Sequence, residues 1–340
     1  ISRKFDFYIQ GALLPCHARF AYSLWDLYNH CYINEHSINF SCYNTESVNT
    51  TLVNDLRNRG LKEFLSSSNY LTNALAVIES ASPNYYHFLM EIFPEIICGI
   101  DFAKSIDFNF NSIVLSTSFS FISEYISLLS EKKTIVDIWE KPVFINNCLI
   151  ARRNHRLRKF REENLKSLDY IRNVASLIRN KINLDHILSQ KYSPSLPRKF
   201  FVERRLSMSE SFDRAIFPRE LFHKDLKKNG YSIIYLEDLS VVEQIILFAN
   251  AEIIASIHGA GLTNILFSHP DVKIIELGHS DGFSNCFALM ADALDIDNYT
   301  QVAVSPLLSK DREDEIKSNL YDTTNILPLK YDQNVKNALF

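Results

Sequence analysis

His258-Gly259-Ala260-Gly261-Leu262-Thr263-Asn264 stands between two apolar runs, Ile253-Ile254-Ala255-Ser256-Ile257 before it and Ile265-Leu266-Phe267 after it. The order reads as strand, tight turn and helix, the unit from which parallel α/β sheets are assembled. The chain carries only 8 glycines in 340 residues, well below the usual ~7%. Two of them fall in this turn, and Gly278 and Gly282 follow closely. Without side chains at 259 and 261 a ligand can reach backbone N–H groups, and a helix starting near Leu262 directs free amides and a positive dipole end at an anion. The turn is therefore a candidate phosphate site, with an ordinary strand-to-helix connection as the plain alternative. His258 and the Thr263-Asn264 pair add polar groups at the carboxyl end of a strand, where open α/β sheets bind ligands.

Outward from the turn the same alternation continues. Strands are expected at 199–203, 231–236, 253–257, 272–277 and 300–304, with helices at 219–228, 240–250, 262–267 and 285–294. Toward the amino terminus, strands at 74–78, 112–115 and 134–138 alternate with helices at 84–98 and 121–129, and a further strand is expected at 143–150. That βαβαβ order calls for a second parallel sheet covered by helices. The first 70 residues show short aromatic strands near 5–8 and 37–40 and a helix at 51–57. Pro194 and Pro197 interrupt helix and central strand alike. The expected organisation is an α/β domain over 1–190, a Rossmann-like domain over 198–305, and a segment 306–340 that packs back onto the first domain.

Composition sets outer bounds. A formal net charge of -4 lacks the basic excess of a general nucleic-acid binder. One local basic run, Arg152 to Arg161, leads into a helix expected at 162–181; it reads as a solvated face or as a contact for an anionic acceptor or membrane surface. The 6 cysteines are scattered without metal-ligand spacing, which suits a reducing, cytoplasmic compartment. No apolar run reaches the ~18 residues of a membrane span. A chain opening on Ile1 rather than Met reads as a trimmed chain or as a domain cut from a longer one.

Three further groups carry candidate chemistry. Arg204 and Arg205 follow the strand Phe200-Phe201-Val202, where guanidinium forks can clamp a diphosphate. Glu276 ends the strand after the glycine turn, placed to accept hydrogen bonds from a ribose. In Asn84-Tyr85-Tyr86-His87-Phe88-Leu89-Met90-Glu91-Ile92-Phe93-Pro94, His87 and Glu91 are four apart on one helix face, a spacing that serves a general base and its orienting partner. No Walker or Gly-x-Gly-x-x-Gly motif occurs, and Asp295-Ile296-Asp297 follows a helix near the chain's end.

The two stretches His258-Gly-Ala-Gly-Leu-Thr-Asn with Glu276, and Asn84-Tyr-Tyr-His-Phe-Leu-x-Glu-x-x-Pro94, in this order, resemble glycosyltransferase family 61 and its bacterial capsule-type members. The resemblance spans residues 74–300. It implies a B-type glycosyltransferase fold of two Rossmann-like domains facing a cleft, inversion at the sugar carbon and a nucleotide-sugar donor, with no cofactor and no metal. By position it implies donor contacts at His258, Gly259, Ala260, Gly261, Leu262, Thr263, Arg204 and Glu276, with His87 and Glu91 near the reaction centre; Asn84 and Tyr86 are counted with the substrate-binding residues. Two departures stand out: Phe88 where relatives commonly have Trp, and Pro218-Arg219, after Arg214, where many have Asn-Glu.

The function expected is an inverting glycosyltransferase, hexosyl or pentosyl, acting on a carbohydrate or glycolipid acceptor in bacterial surface-polysaccharide synthesis. Glu91 is the expected base, oriented by His87; Arg204, Arg205 and the turn amides receive the leaving diphosphate. The protein is expected in the cytoplasm, with peripheral contact at the inner face of the membrane. A non-catalytic nucleotide- or glycan-binding module is the rival from another class. A hydrolase using Ser256 and His258 lacks a third member.

Overall fold

A computed structural model describes residues 69–77, 84–115, 119–129, 133–137, 143–150, 167–189, 196–205, 215–280, 284–308 and 328–340, with five strand segments nearer the amino terminus. The helix expected at 51–57, the basic run 152–161 and most of the proline linker lie outside the described residues. The chain divides into two compact units, 1–163 with 176–182, and 164–175 with 183–340.

In the first unit, β1 (Phe7–Leu14), β3 (Trp25–Asp26), β4 (Cys31–Tyr32), β6 (Asn69–Val77), β7 (Ser112–Leu115), β8 (Thr134–Asp137) and β9 (Val143–Ile150) form one sheet in the order β4-β3-β1-β9-β6-β7-β8. Two short strands, β2 (Ala21–Tyr22) and β5 (Ile38–Asn39), pair separately. β6 runs parallel to β7 and β9, and β7 parallel to β8, whereas β1 is antiparallel to β9. Read from β8 inward, the parallel strands follow the order 3-2-1-4 of doubly wound nucleotide-binding folds, whose direction reverses beside the first strand. That reversal lies between β6 and β9. The β7 residues Ile113, Val114 and Leu115 are at most 2% exposed, as strands covered on both faces require.

Past β6 comes one long helix with a local widening: α1 (Tyr85–His87), a π turn (Phe88–Ile92) and α2 (Phe93–Ser105). Pro94 explains the widening. It has no N–H, and its ring would strike the carbonyl of Met90 four residues back. The Phe93 N–H donates instead to Phe88 O, five residues back, which carries the chain past the clash. α3 (Ser120–Leu128) follows β7, and α4 (Leu168–Lys181) and α5 (Leu184–Ser189) follow β9.

The second unit has a five-stranded, wholly parallel sheet of β10 (Lys199–Glu203), β12 (Ser232–Tyr235), β13 (Ile253–Ile257), β14 (Lys273–His279) and β15 (Tyr299–Val304), ordered β12-β10-β13-β14-β15. Counted along the chain this is 2-1-3-4-5, the other common doubly wound order, whose switch point lies between the first and third strands. Those are β10 and β13. The connections are α6 (Arg219–Lys228), α7 (Val241–Ala249), a 3-10 helix (Ala260–Phe267) and α8 (Cys286–Ala293). Ser240 and Glu243 start α7 with a reciprocal capping box, worth about 1 kcal/mol.

Alternate strand residues Phe201, Ala255, Ile257, Ile275 and Leu277 bury one face of the sheet against Phe222 and Leu226 of α6. The same core takes in Leu329, Tyr331, Val335 and Leu339. These last belong to β16 (Leu329–Lys330), parallel to β11 (Ile216–Phe217), and to the final helix α9 (Gln333–Leu339). Tyr331 donates to Asp225 at 2.7 Å and Tyr231 donates to Leu339 O at 3.2 Å. The described part of the terminal segment therefore closes the second unit's core, because its apolar positions recur at helical spacing against that sheet face. The helix expected at 262–267 is a 3-10 helix from Ala260. Thr263 and Asn264 side chains donate to the carbonyls of Ala260 and Gly261, three residues back, and so favour the tighter winding.

Candidate functional site

At the second unit's switch point the carboxyl ends of β10 and β13 come together. Val202 pairs with Ser256, so Arg204 and His258, each two residues further on, leave the sheet as neighbours on one face. The guanidinium of Arg204 lies against Gly259, where a Cβ would stand 3.0 Å from Nη2 and 3.4 Å from Cζ. Gly259 is extended, with φ 173°; the position requires room, not a left-handed backbone. Ala260 and Gly261 are half-buried and precede the first intrahelical bond, from Leu262 N–H to Gly259 O at 2.9 Å. Their amides are the ones a helix start leaves for an anion.

Beyond Gly261 the turn becomes core. Leu262, Thr263 and Asn264 have no exposed surface. The Thr263 hydroxyl donates to Ala260 O at 2.7 Å, and the Asn264 amide donates to Gln244 Oε1 on α7 at 3.1 Å. The side chains of Leu262 and Thr263, expected at the donor, instead fasten the turn from within. Gly261 is also a packing residue on its far side: a Cβ there would meet Leu236 Cδ1 at 2.8 Å.

His258 Nδ1 stands 2.5 Å from Glu276 Oε1. The second carboxylate oxygen accepts from the hydroxyl of Tyr299, in a very short bond, and from Gln301 Nε2 at 2.7 Å. Register explains the meeting, since Ser256, Glu276 and Gln301 are lateral neighbours on β13, β14 and β15. Burial first, and then the Glu276 charge, push the Tyr299 hydroxyl far above its ordinary range, so it remains a donor. With no exposed surface, Glu276 is held among His258, Tyr299 and Gln301. Tyr299 and Gln301 carry no motif; only strand pairing finds them. Burial also raises the nearby Cys286 thiol to about 11, and the Phe287 ring lies 5.3 Å from that of His258.

Arg205 parts from Arg204, as successive residues at a strand end do. Its Nη2 donates to both Asp238 oxygens, at 2.5 and 2.6 Å, and its guanidinium covers the Tyr235 ring at 5.1 Å. The expected second arm of a clamp is thus an exposed surface pair. Under Arg204 lies Glu203, 2% exposed, whose Oε1 accepts the Arg204 N–H at 2.9 Å. Its Oε2 meets His223 Nε2 at 2.7 Å and Arg219 Nε at 3.6 Å. Arg219 and His223 are four apart on α6, a spacing visible in the sequence, though nothing there ties them to Arg204.

In the first unit, Asn84 caps α1: its side-chain oxygen accepts from Tyr86 N–H at 2.9 Å and His87 N–H at 3.4 Å. Tyr85 bonds the buried Tyr125 hydroxyl at 2.8 Å, and Phe88 and Phe93 pack on the same ring. This fixes the rotation of the helix. On another side His87 Nδ1 lies 2.5 Å from Glu91 Oε1, with Tyr86 buried and its ring 5.5 Å from the imidazole. The Glu91 side chain is 0% exposed and that of His87 30%. The pair forms as its spacing suggests, but the imidazole is the reachable member. Because the helix starts beyond β6, beside the switch point with β9, His87 stands where this sheet type meets ligands.

Two alternatives that the sequence favoured little find no support. The Ser256 hydroxyl donates to Ile257 O at 2.8 Å inside the sheet, and Asp295 faces Arg172 at 3.5 Å. Among the described residues no three His, Cys, Asp or Glu side chains gather as a metal site would require, and no helix is long and apolar enough to cross a membrane. The family model for glycosyltransferase 61 matches residues 85–275, from the residue after the Asn84 cap to the one before Glu276. No curated protein matches the chain.

Proposed function

The chain belongs to the glycosyltransferase 61 family, and from that premise we propose an inverting transferase, hexosyl or pentosyl, that moves a sugar from a nucleotide diphosphate to a hydroxyl of a carbohydrate or glycolipid. The observation that carries the donor half is Arg204 lying against Gly259 at the β10/β13 switch point. There a guanidinium lies beside the turn that opens a helix, an arrangement suited to an anion that gains charge as the bond to the sugar breaks. His258, held by Glu276, borders the same turn.

For the acceptor half we assign the base to His87. Glu91 has no exposed surface and cannot meet a hydroxyl, but it holds Nδ1 of an imidazole that is partly exposed. With Nδ1–H donated to Glu91, Nε2 is the basic nitrogen. The acceptor oxygen attacks the anomeric carbon, its proton passes to His87 Nε2, and the carbon–oxygen bond to phosphate breaks with its electron pair going to the diphosphate. Glu91 then stabilises the imidazolium.

The B-type arrangement of two Rossmann-like domains about a cleft, a role in bacterial surface polysaccharide, metal independence, and a cytoplasmic site with contact at the inner membrane face belong to the same proposal. They rest on the resemblance and the composition. A thermal-shift screen of nucleoside diphosphates and nucleotide sugars tests the donor half. A ligand at 100 times its Kd adds about 2.7 kcal/mol to stability, so one nucleotide series should raise Tm clearly. No shift from any of them sinks the proposal, and binding without turnover in any acceptor mixture favours the non-catalytic module.

A further inference from the structure

Resting on that donor reading, we infer that Arg219, and not Arg205, is the second arginine that holds the donor's diphosphate. Arg219 opens α6 and donates from Nη2 to the carbonyl of Arg204 at 3.0 Å and to the Tyr235 hydroxyl at 3.2 Å. Those two bonds use both hydrogens of Nη2. Its Nε is buried without a hydrogen bond, 3.6 Å from Glu203 Oε2. Among the described residues Nη1 has no protein partner, and the side chain is 22% exposed. A guanidinium fixed by one nitrogen, with another left to donate, is preorganised for an anion's oxygens.

Electrostatics points the same way. Arg219 is fastened to the Arg204 backbone, so two cationic side chains start from adjoining points at the switch point, with the buried Glu203 carboxylate touching the Arg204 N–H and facing Arg219 Nε. Two guanidinium groups suit a diphosphate, whose two phosphoryl groups offer oxygens to two separate forks. Arg205 is turned to Asp238, whose two oxygens both accept from its Nη2 on the exposed surface.

Calorimetric titration of the full chain with inorganic pyrophosphate and with orthophosphate tests the assignment. Arg219→Gln should weaken pyrophosphate binding roughly 10- to 100-fold, the range of a lost charged hydrogen bond, and should reduce the preference for pyrophosphate over orthophosphate. Arg205→Gln should leave both affinities near wild type. If Arg219 only braced Arg204, both anions would weaken equally, and that result, or unchanged affinity, overturns the inference. Should Arg219→Gln fail to fold, the same ratio is read on Arg219→Lys, whose single ammonium cannot fork; it falls part of the way, and an unchanged ratio overturns the inference. A wild-type chain that binds neither pyrophosphate nor any nucleoside diphosphate defeats the donor reading itself, whereas loss confined to Arg204→Gln defeats only the role of Arg219.

Discussion

His258 Nδ1 and Glu276 Oε1 are 2.5 Å apart, in a place where the carboxylate has no exposed surface and three protein donors. Replacing Glu276 with Gln turns one acceptor into a donor facing donors. A buried group left unsatisfied costs about 1–3 kcal/mol. Glu276→Gln should therefore lose that much in urea unfolding, and Tyr299→Phe, which removes one donor and leaves the carboxylate to the others, should lose less. Equal stability of Glu276→Gln and wild type would contradict the network.

The two glycines of the turn should behave differently. At 259 an added methyl meets the mobile end of Arg204, and at 261 it meets Leu236 at 2.8 Å. Gly259→Ala is expected to weaken donor binding with little change in melting. Gly261→Ala overpacks a buried contact, a change that typically costs about 1–3 kcal/mol, and should lower Tm. The reverse pattern in paired melting and binding measurements would show that the turn is assigned wrongly.

Asp332 gives the fold an acid-sensitive contact. Burial alone would raise its carboxyl, but the hydrogen bonds from Ser305 and from the backbone at Val335 outweigh that and hold it below the ordinary value. A folded pKa below the unfolded value of about 3.9 stabilises the fold above that pH, and the gain is lost as pH falls through the folded value. Asp332→Asn keeps a good helix cap without the charge. It should be less stable than wild type at neutral pH, with the gap closing below about pH 4. A gap of constant size in denaturant titrations across that range would contradict the linkage.

Much of this architecture was legible because parallel strands and their helices announce themselves along the chain. Ile253 to Ile257, the glycine turn and the helix at 240–250 needed no partner to be read. What the sequence conceals is lateral. Glu276 reads as a strand-end carboxylate open to a ligand until β15 brings Tyr299 and Gln301 beside it, and Thr263 reads as a polar contact until its hydroxyl closes on Ala260 O. The face covered by Val335 and Leu339 has helical spacing, but spacing does not name the sheet it covers. The divergence of Arg204 and Arg205 was within reach of strand alternation alone. The His87–Glu91 spacing was legible too, though not which member is buried, since Tyr85, Phe88 and Phe93 packing on Tyr125 set the helix's rotation.

In the proposed transfer His87 takes the acceptor's proton while Glu91 holds the imidazole from beneath. Turnover at saturating donor and acceptor, followed as release of nucleoside diphosphate, tests this most directly. General-base catalysis contributes ~10²–10⁴-fold, so His87→Ala should lower kcat by about that factor and leave the donor Kd unchanged. Glu91→Ala, which leaves the imidazole without its partner, should lose less. Near-wild-type turnover in His87→Ala would contradict the account.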